Sequence, residues 1–141
     1  MPTVIRRLKT TKKTLLNLFT EARNKKAIPV LITPVTRLKF KEGKMMETHA
    51  EYSTAVTEVA KKYKTPLIDL DTKSREMLQK FGTDNANLLF NQLEPGEHPN
   101  YAAGIKDNTH FNEFGARKIA QLVLAEVRRL NLDLVNYIRK V

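Results

Sequence analysis

The run Ile28-Pro29-Val30-Leu31-Ile32-Thr33, closed by Pro34, decides how the rest of the chain is read. It has no polar alternation, which suits a short strand covered on both faces in a parallel sheet rather than a half-exposed strand of an antiparallel one. Pro29 has no N–H to give to a ladder and belongs at the strand's start. The same pattern returns at Pro66-Leu67-Ile68-Asp69-Leu70. Parallel strands need a crossover between them, so the intervening residues should be mostly helix.

The helical periodicities agree. Ile5, Leu8, Leu15, Phe19 and Ala22 recur at helical spacing over residues 4–25, with Leu16 and Leu18 widening the stripe. Lys9, Lys12, Lys13, Arg23, Lys25 and Lys26 fall mostly off it and should face water. Residues 34–47 read as a long loop with a polar tip at Lys39, Lys41, Gly43 and Lys44. Tyr52, Ala55, Val56, Val59, Ala60 and Tyr63 then mark a helix from about Ala50 to Lys64. Asp71 or Thr72 caps a third helix running to about Phe81 and ended by Gly82, with a short helical segment near Asn85–Phe90. Pro95, Gly96, Pro99 and Gly104 make residues 91–112 irregular. A last helix over Glu113–Leu130 is apolar at Ala116, Ile119, Ala120, Val123 and Val127; Asn131 breaks it, and a final short turn involves Leu134, Val135 and Ile138.

The reading is therefore α/β, with helices on both faces of a parallel sheet. Only two strands are legible. Two strands are too few to bury such helices, so the pattern implies association with further strands or membership of a larger fold.

Composition narrows the function. The chain has 141 residues, 41% hydrophobic and 28% charged, which is globular rather than disordered. It lacks cysteine, which removes disulfides, thiolate metal sites and cysteine nucleophiles. No signal sequence or transmembrane stretch is legible, leaving the cytoplasm as the default compartment. The net charge is +10, and all of it lies in the first half: residues 1–64 carry 15 basic and 5 acidic side chains, and the remainder carries 10 of each. These bases are mainly lysines on the outer faces of helices, without interleaved aromatics, so a solvated surface is favoured over a nucleic-acid module.

The densest polar cluster is Glu97-His98-Pro99-Asn100-Tyr101 followed by Asp107-Asn108-Thr109-His110. Asp107 and His110 stand three apart just before a helix. That spacing lets the carboxylate accept the imidazole Nδ1–H and leaves Nε2 free to act as a general base. Asn112 is placed to cap the following helix. Gly115 in its first turn costs about 1 kcal/mol against alanine, which points to a close backbone approach. His49, His98 and His110 match no metal-ligand spacing, so no metal and no cofactor are expected.

The string Asp107-Asn-Thr-His110-Phe-Asn-Glu-Phe-Gly-Ala116 resembles the last motif of the SGNH (GDSL-type) hydrolases. Leu31-Ile-Thr-Pro-Val-Thr-Arg37, Pro66-Leu-Ile-Asp-Leu-Asp71 and Glu94-Pro-Gly-Glu-His-Pro-Asn-Tyr101 are similar to the rhamnogalacturonan acetylesterase-like branch of that family, in the right order and over nearly the whole chain. The resemblance implies a flavodoxin-like αβα sandwich and removal of O-acetyl groups from carbohydrate. It makes His110 the general base and Asp107 its orienting acid, and leaves the substrate groove as one role for His98 beside Glu97. The family's nucleophile lies in Gly-Asp-Ser and an oxyanion-hole asparagine in Gly-x-Asn-Asp. This sequence has neither motif, and its two serines, Ser53 and Ser74, lie in predicted helices. Residues 1–141 thus read as the C-terminal part of one SGNH domain, reduced to its last two parallel strands and their helices. Alone the chain should be inactive; it is an inactive remnant or half of a split enzyme. In the family's strand order the segment 28–33 would face a missing strand, so self-association or pairing with a complementary N-terminal chain is expected there.

Overall fold

The structure, a computed structural model, describes the backbone of residues 2–139 and the side chains of residues 8–139. It divides into two compact units, Met1–Pro34 with His49–Asp71, and Val35–Thr48 with Thr72–Val141.

The first unit holds helix α1 (Pro2–Asn24), strand β1 (Leu31–Ile32), helix α2 (Ala50–Lys62) and the strand Leu67–Ile68, which is β4 in chain order. As the two apolar runs imply, these strands pair in parallel, Leu31 with Leu67 and Ile32 with Ile68. Leu31, Val56, Val59 and Ala60 form the core, with Leu15, Leu16, Tyr63 and Leu67 packed around it. Of the α1 stripe, Phe19 is buried and its ring lies 5.2 Å from that of Tyr63. Leu18 is 60% exposed and does not belong to the stripe; Ile5 falls outside the described side chains. The Arg23 guanidinium covers the Phe19 ring at 4.3 Å and donates to the Tyr63 carbonyl at 3.2 Å, so this predicted water-facing base secures the end of α1. Lys12 pairs with Glu58 across α1 and α2. After β4, the buried Thr33 hydroxyl donates to Asp69 Oδ1 (3.1 Å) and accepts the Asp71 N–H (2.9 Å), tying the end of β1 to the start of the next helix.

The second unit corrects two expectations. Residues 34–47 are not simply a loop: β2 (Phe40–Lys41) and β3 (Lys44–Met45) form an antiparallel hairpin. Glu42 and Gly43 both take positive φ (51° and 75°), the geometry that matches a two-residue turn to the strands' twist. Its strands are too short to show an alternation. Helix α3 (Leu70–Asn85) leaves helical geometry at Gly82 (φ 76°, ψ 172°), the break that glycine implies, and a short helical stretch resumes beyond it. The short helical segment expected near Asn85–Phe90 is a 3-10 helix, Ala86–Leu89.

The second correction matters most. Residues 91–112 are not irregular, because β5 (Phe90–Leu93) and β6 (Ile105–Phe111) pair antiparallel. The four breakers lie in the connection between them. β6 was invisible because Ile105-Lys-Asp-Asn-Thr-His-Phe111 is largely exposed and carries no apolar alternation. The two legible strands are thus four short of the six described.

Helix α4 (Glu113–Arg129) follows β6 directly. Leu38, Leu78, Ala86, Leu89 and Phe90 make the core, flanked by Phe40, Met45, Met77, Phe81 and Phe111. Glu126 is buried, yet its carboxyl sits below the usual range because Arg129 hydrogen-bonds it, with Lys73 also contributing against the cost of burial. Gly115 is buried where a Cβ would overlap the Leu89 carbonyl, the close approach its place in the sequence implies. Gly115→Ala should therefore destabilise the chain by roughly 1–3 kcal/mol through overpacking, despite a helix-propensity gain of about 1 kcal/mol. A lower urea midpoint checks this; an unchanged or higher one removes the close-packing argument.

Candidate functional site

The site grows out of an irregularity in one ladder. Phe90 pairs with Phe111, but the next residue, Asn91, pairs with Asp107 rather than with residue 110. Asn108, Thr109 and His110 are extra residues on β6, a bulge of the kind that re-aims side chains. The bulge closes on the paired residue just before it. Asp107 Oδ1 accepts the backbone N–H groups of Thr109 (2.7 Å) and His110 (3.0 Å), a turn built from an aspartate side chain. The other oxygen, Oδ2, lies 2.6 Å from His110 Nδ1.

These contacts fix the electrostatics. The His110 backbone N–H, its imidazole and the Thr109 N–H all favour the ionised carboxylate, and hold the Asp107 pKa down at about 2. An ionised carboxylate offers no proton, so the proton of the 2.6 Å contact resides on His110 Nδ1. In the neutral ring Nε2 then carries a lone pair. The imidazole is 77% exposed, while Asp107 lies mostly covered beneath it. The arrangement presents an oriented base to whatever stands in front of it.

Neighbouring elements brace the bulge. The Leu38 N–H donates to the Asn108 carbonyl at 2.9 Å. Gln92 Nε2 donates to the Asp107 carbonyl (3.0 Å) and to Asn108 Oδ1 (2.8 Å). On the far side the Phe111 ring lies 4.6 Å from Phe90. Asn112 caps α4 as its position implies, its Oδ1 accepting the Gly115 N–H at 3.0 Å. Its Nδ2 also donates to the carbonyls of Leu88 (2.9 Å) and Phe90 (3.0 Å), which fixes the strand's exit.

The structure thus brings Asp107 and His110 together and places Glu97 and His98 in the connection between β5 and β6. Glu97 accepts the Glu94 N–H at 2.6 Å, and His98 Nδ1 accepts the Asn100 N–H at 3.2 Å; both close turns in the β5–β6 connection. His49 opens α2 in the other unit. Ser74 is fully buried and its Oγ accepts the Thr36 N–H at 3.1 Å. The Ser53 Oγ is enclosed within the first unit. Gln92, Asn108 and Leu38 were not legible as site residues. Their roles depend on the pairing of β5 with β6 and on the hairpin, neither of which leaves a local pattern.

No established protein-family model matches the chain. The rhamnogalacturonan acetylesterase RhgT of Bacillus subtilis (strain 168) is 41% identical over 125 residues, which is 87% of this chain and 54% of RhgT. The probable rhamnogalacturonan acetylesterase YesY of the same organism is 34% identical over 119 residues, 84% of this chain and 51% of YesY. Among solved structures, the crystal structure of the Bacillus subtilis protein YXIM superposes with a TM-score of 0.70 at 22% identity, covering 86% of this chain and 31% of that one, and this shows likeness of fold. By fold the chain is an α/β protein. In sequence it is similar to the rhamnogalacturonan acetylesterases, and it spans about half the length of the curated relatives it matches.

The depressed Asp107 pKa makes the stability of the turn depend on pH. Its stabilising contribution is fully present above the ordinary value of 3.8 and is lost as pH falls through about 2. A carboxyl-carbon NMR titration should therefore place the Asp107 midpoint near 2. In His110→Ala it should rise only part of the way to 3.8, because the two backbone N–H donors remain. A midpoint near 3.8 in the parent chain would dissolve the aspartate turn as described.

Proposed function

We propose that this chain supplies the acid–base half of an SGNH-type carbohydrate acetylesterase, and that residues 1–141 correspond to the C-terminal part of that fold. The observation that carries the reading is the 2.6 Å contact of His110 Nδ1 with Asp107 beneath an otherwise exposed imidazole. The sequence kinship with RhgT and YesY supports the substrate class, an O-acetyl ester on a pectic carbohydrate such as rhamnogalacturonan.

In this reading the nucleophilic serine and the oxyanion-hole donors come from residues outside these 141. His110 Nε2 takes the proton of that serine as its oxygen attacks the acetyl carbonyl. Asp107 holds the imidazole's tautomer and stabilises the imidazolium that forms. His110 then gives the proton to the departing sugar oxygen, leaving an acetyl-serine that water hydrolyses by the same base. Neither Ser53 nor Ser74 fits the nucleophile, because both hydroxyl oxygens are buried.

The first unit supplies a place for the missing part. β1 and β4 form a two-stranded parallel sheet, and no third strand joins them among the described residues. Ile28 is 70% exposed and Ile32 44% exposed, although their run reads as a fully covered strand. We assign this edge to the strands of a complementary N-terminal half.

The decisive experiment is complementation. The chain alone should hydrolyse 4-nitrophenyl acetate no faster than a His110→Ala control. Co-expressed with a polypeptide carrying the Gly-Asp-Ser and Gly-x-Asn-Asp motifs of this family, it should gain deacetylation of acetylated rhamnogalacturonan. His110→Ala should then lower that rate by about three orders of magnitude or more. Activity of the isolated chain that vanishes in His110→Ala would overturn the incomplete-site reading, and a complemented pair insensitive to His110 would overturn its role as base. The strand edge has its own test. At concentrations on the order of tens of micromolar the isolated chain should sediment as oligomers, and Ile32→Lys should shift it toward monomer. A parent chain that stays monomeric would count against a bare edge.

A further inference from the structure

We infer that Gln92 is the positioning residue of the Asp107–His110 pair: its amide, reaching from β5, holds the bulge of β6 in the one shape that points the imidazole outward. The inference rests on the acid–base reading of that pair but draws on different contacts.

The ladder register shows why Gln92 is not an ordinary cross-strand neighbour. Its partner across the sheet is Lys106. The side chain instead runs diagonally toward the bulge and spends its amide nitrogen there. A glutamine Nε2 carries two hydrogens, and there are two acceptors, the Asp107 carbonyl at 3.0 Å and Asn108 Oδ1 at 2.8 Å. These belong to the last residue in register and the first residue out of it. The bond from Leu38 N–H to the Asn108 carbonyl grips the same turn from β2's side of the unit. Among the described residues, the polar contact that aims the His110 ring is the one with Asp107. The direction of the imidazole therefore follows the aspartate side chain, which follows the bulge, which Gln92 holds. Glutamate would bring no donor to these two acceptors, and methionine has nearly the same shape without the amide.

The test reads geometry rather than esterase activity, so it stands apart from the fate of the functional reading. In the 141-residue chain, with Ile32→Lys as background if the parent self-associates, Gln92→Met is compared with its parent by two NMR signatures. These are the Asp107 carboxyl midpoint and the tautomer of His110, read from its ring nitrogen shifts. The expected result is a rise of the Asp107 midpoint by about one pH unit as the backbone donors drift from Oδ1. It is accompanied by loss of the single Nδ1–H tautomer in favour of a mixture. The control Gln79→Met, which removes the amide bridging Met45 N–H and the Gly43 carbonyl in the same unit, should move neither signature. Should Gln92→Met fail to fold, Asn108→Ala removes one of the two acceptors and should give a smaller shift of the same sign. An Asp107 midpoint and His110 tautomer that match the parent, in Gln92→Met or in Asn108→Ala as its substitute, would overturn the proposal. So would an equal shift in Gln79→Met.

Discussion

The candidate site depends on one constraint: three residues of β6 have no partners on β5. A regular antiparallel ladder would carry straight through from Phe90–Phe111 to Asn91 opposite residue 110, with His110 as one more alternating side chain. Instead the strand leaves its register for Asn108–His110, and its unpaired backbone groups must find partners elsewhere. Asp107 supplies two of them through one carboxylate oxygen, which leaves its other oxygen for the imidazole. A single side chain thus closes the turn and orients the base. The same contacts that satisfy the backbone keep the carboxyl ionised, so folding and electrostatic preparation are one event here. The residues around the bulge serve the same end, since Phe90 and Asn112 fix the strand's exit and Leu38 and Gln92 its entrance.

Part of this was legible in the sequence. The runs at 28–33 and 66–70 announced their parallel pairing because a strand covered on both faces leaves a compact apolar signature. Asp107, His110, Asn112 and Gly115 were legible because each acts over three residues or fewer, or through a backbone requirement that shows in residue type. The Gly115 contact is the clearest case. Placing glycine in the first turn of a helix costs stability, and the Leu89 carbonyl explains why that cost is met.

The rest was hidden for equally physical reasons. β6 exposes most of its side chains, so it has no hydrophobic period, and its polar residues lie on a strand rather than in a loop. Pro95, Gly96, Pro99 and Gly104 marked the connection correctly but gave the whole segment the look of a loop. The β2–β3 hairpin turns on Glu42-Gly43, in which a non-glycine residue takes positive φ, outside the sequence signature of such turns. Gln92 could not be found locally, because its partners lie 15 and 16 residues away, across a pairing that the pattern did not disclose.

The two units differ in what holds them together, and that bears on how the Asp107–His110 pair keeps its geometry. The described contacts that shape Asp107 and His110 are made within the second unit: the bulge, the aspartate turn, Gln92, Leu38, Phe90 and Asn112. The unsatisfied apolar surface of β1, with Ile28 and Ile32, belongs to the first. The same first unit carries 11 of the 25 basic residues and 5 of the 15 acidic ones, a net +6 of the chain's +10. Orienting an imidazole needs only a short-range turn and one cross-strand amide, whereas completing a parallel sheet needs strands distant in sequence. The acid–base pair is therefore separable from the sheet in physical terms. Its geometry can be set by contacts local to the second unit.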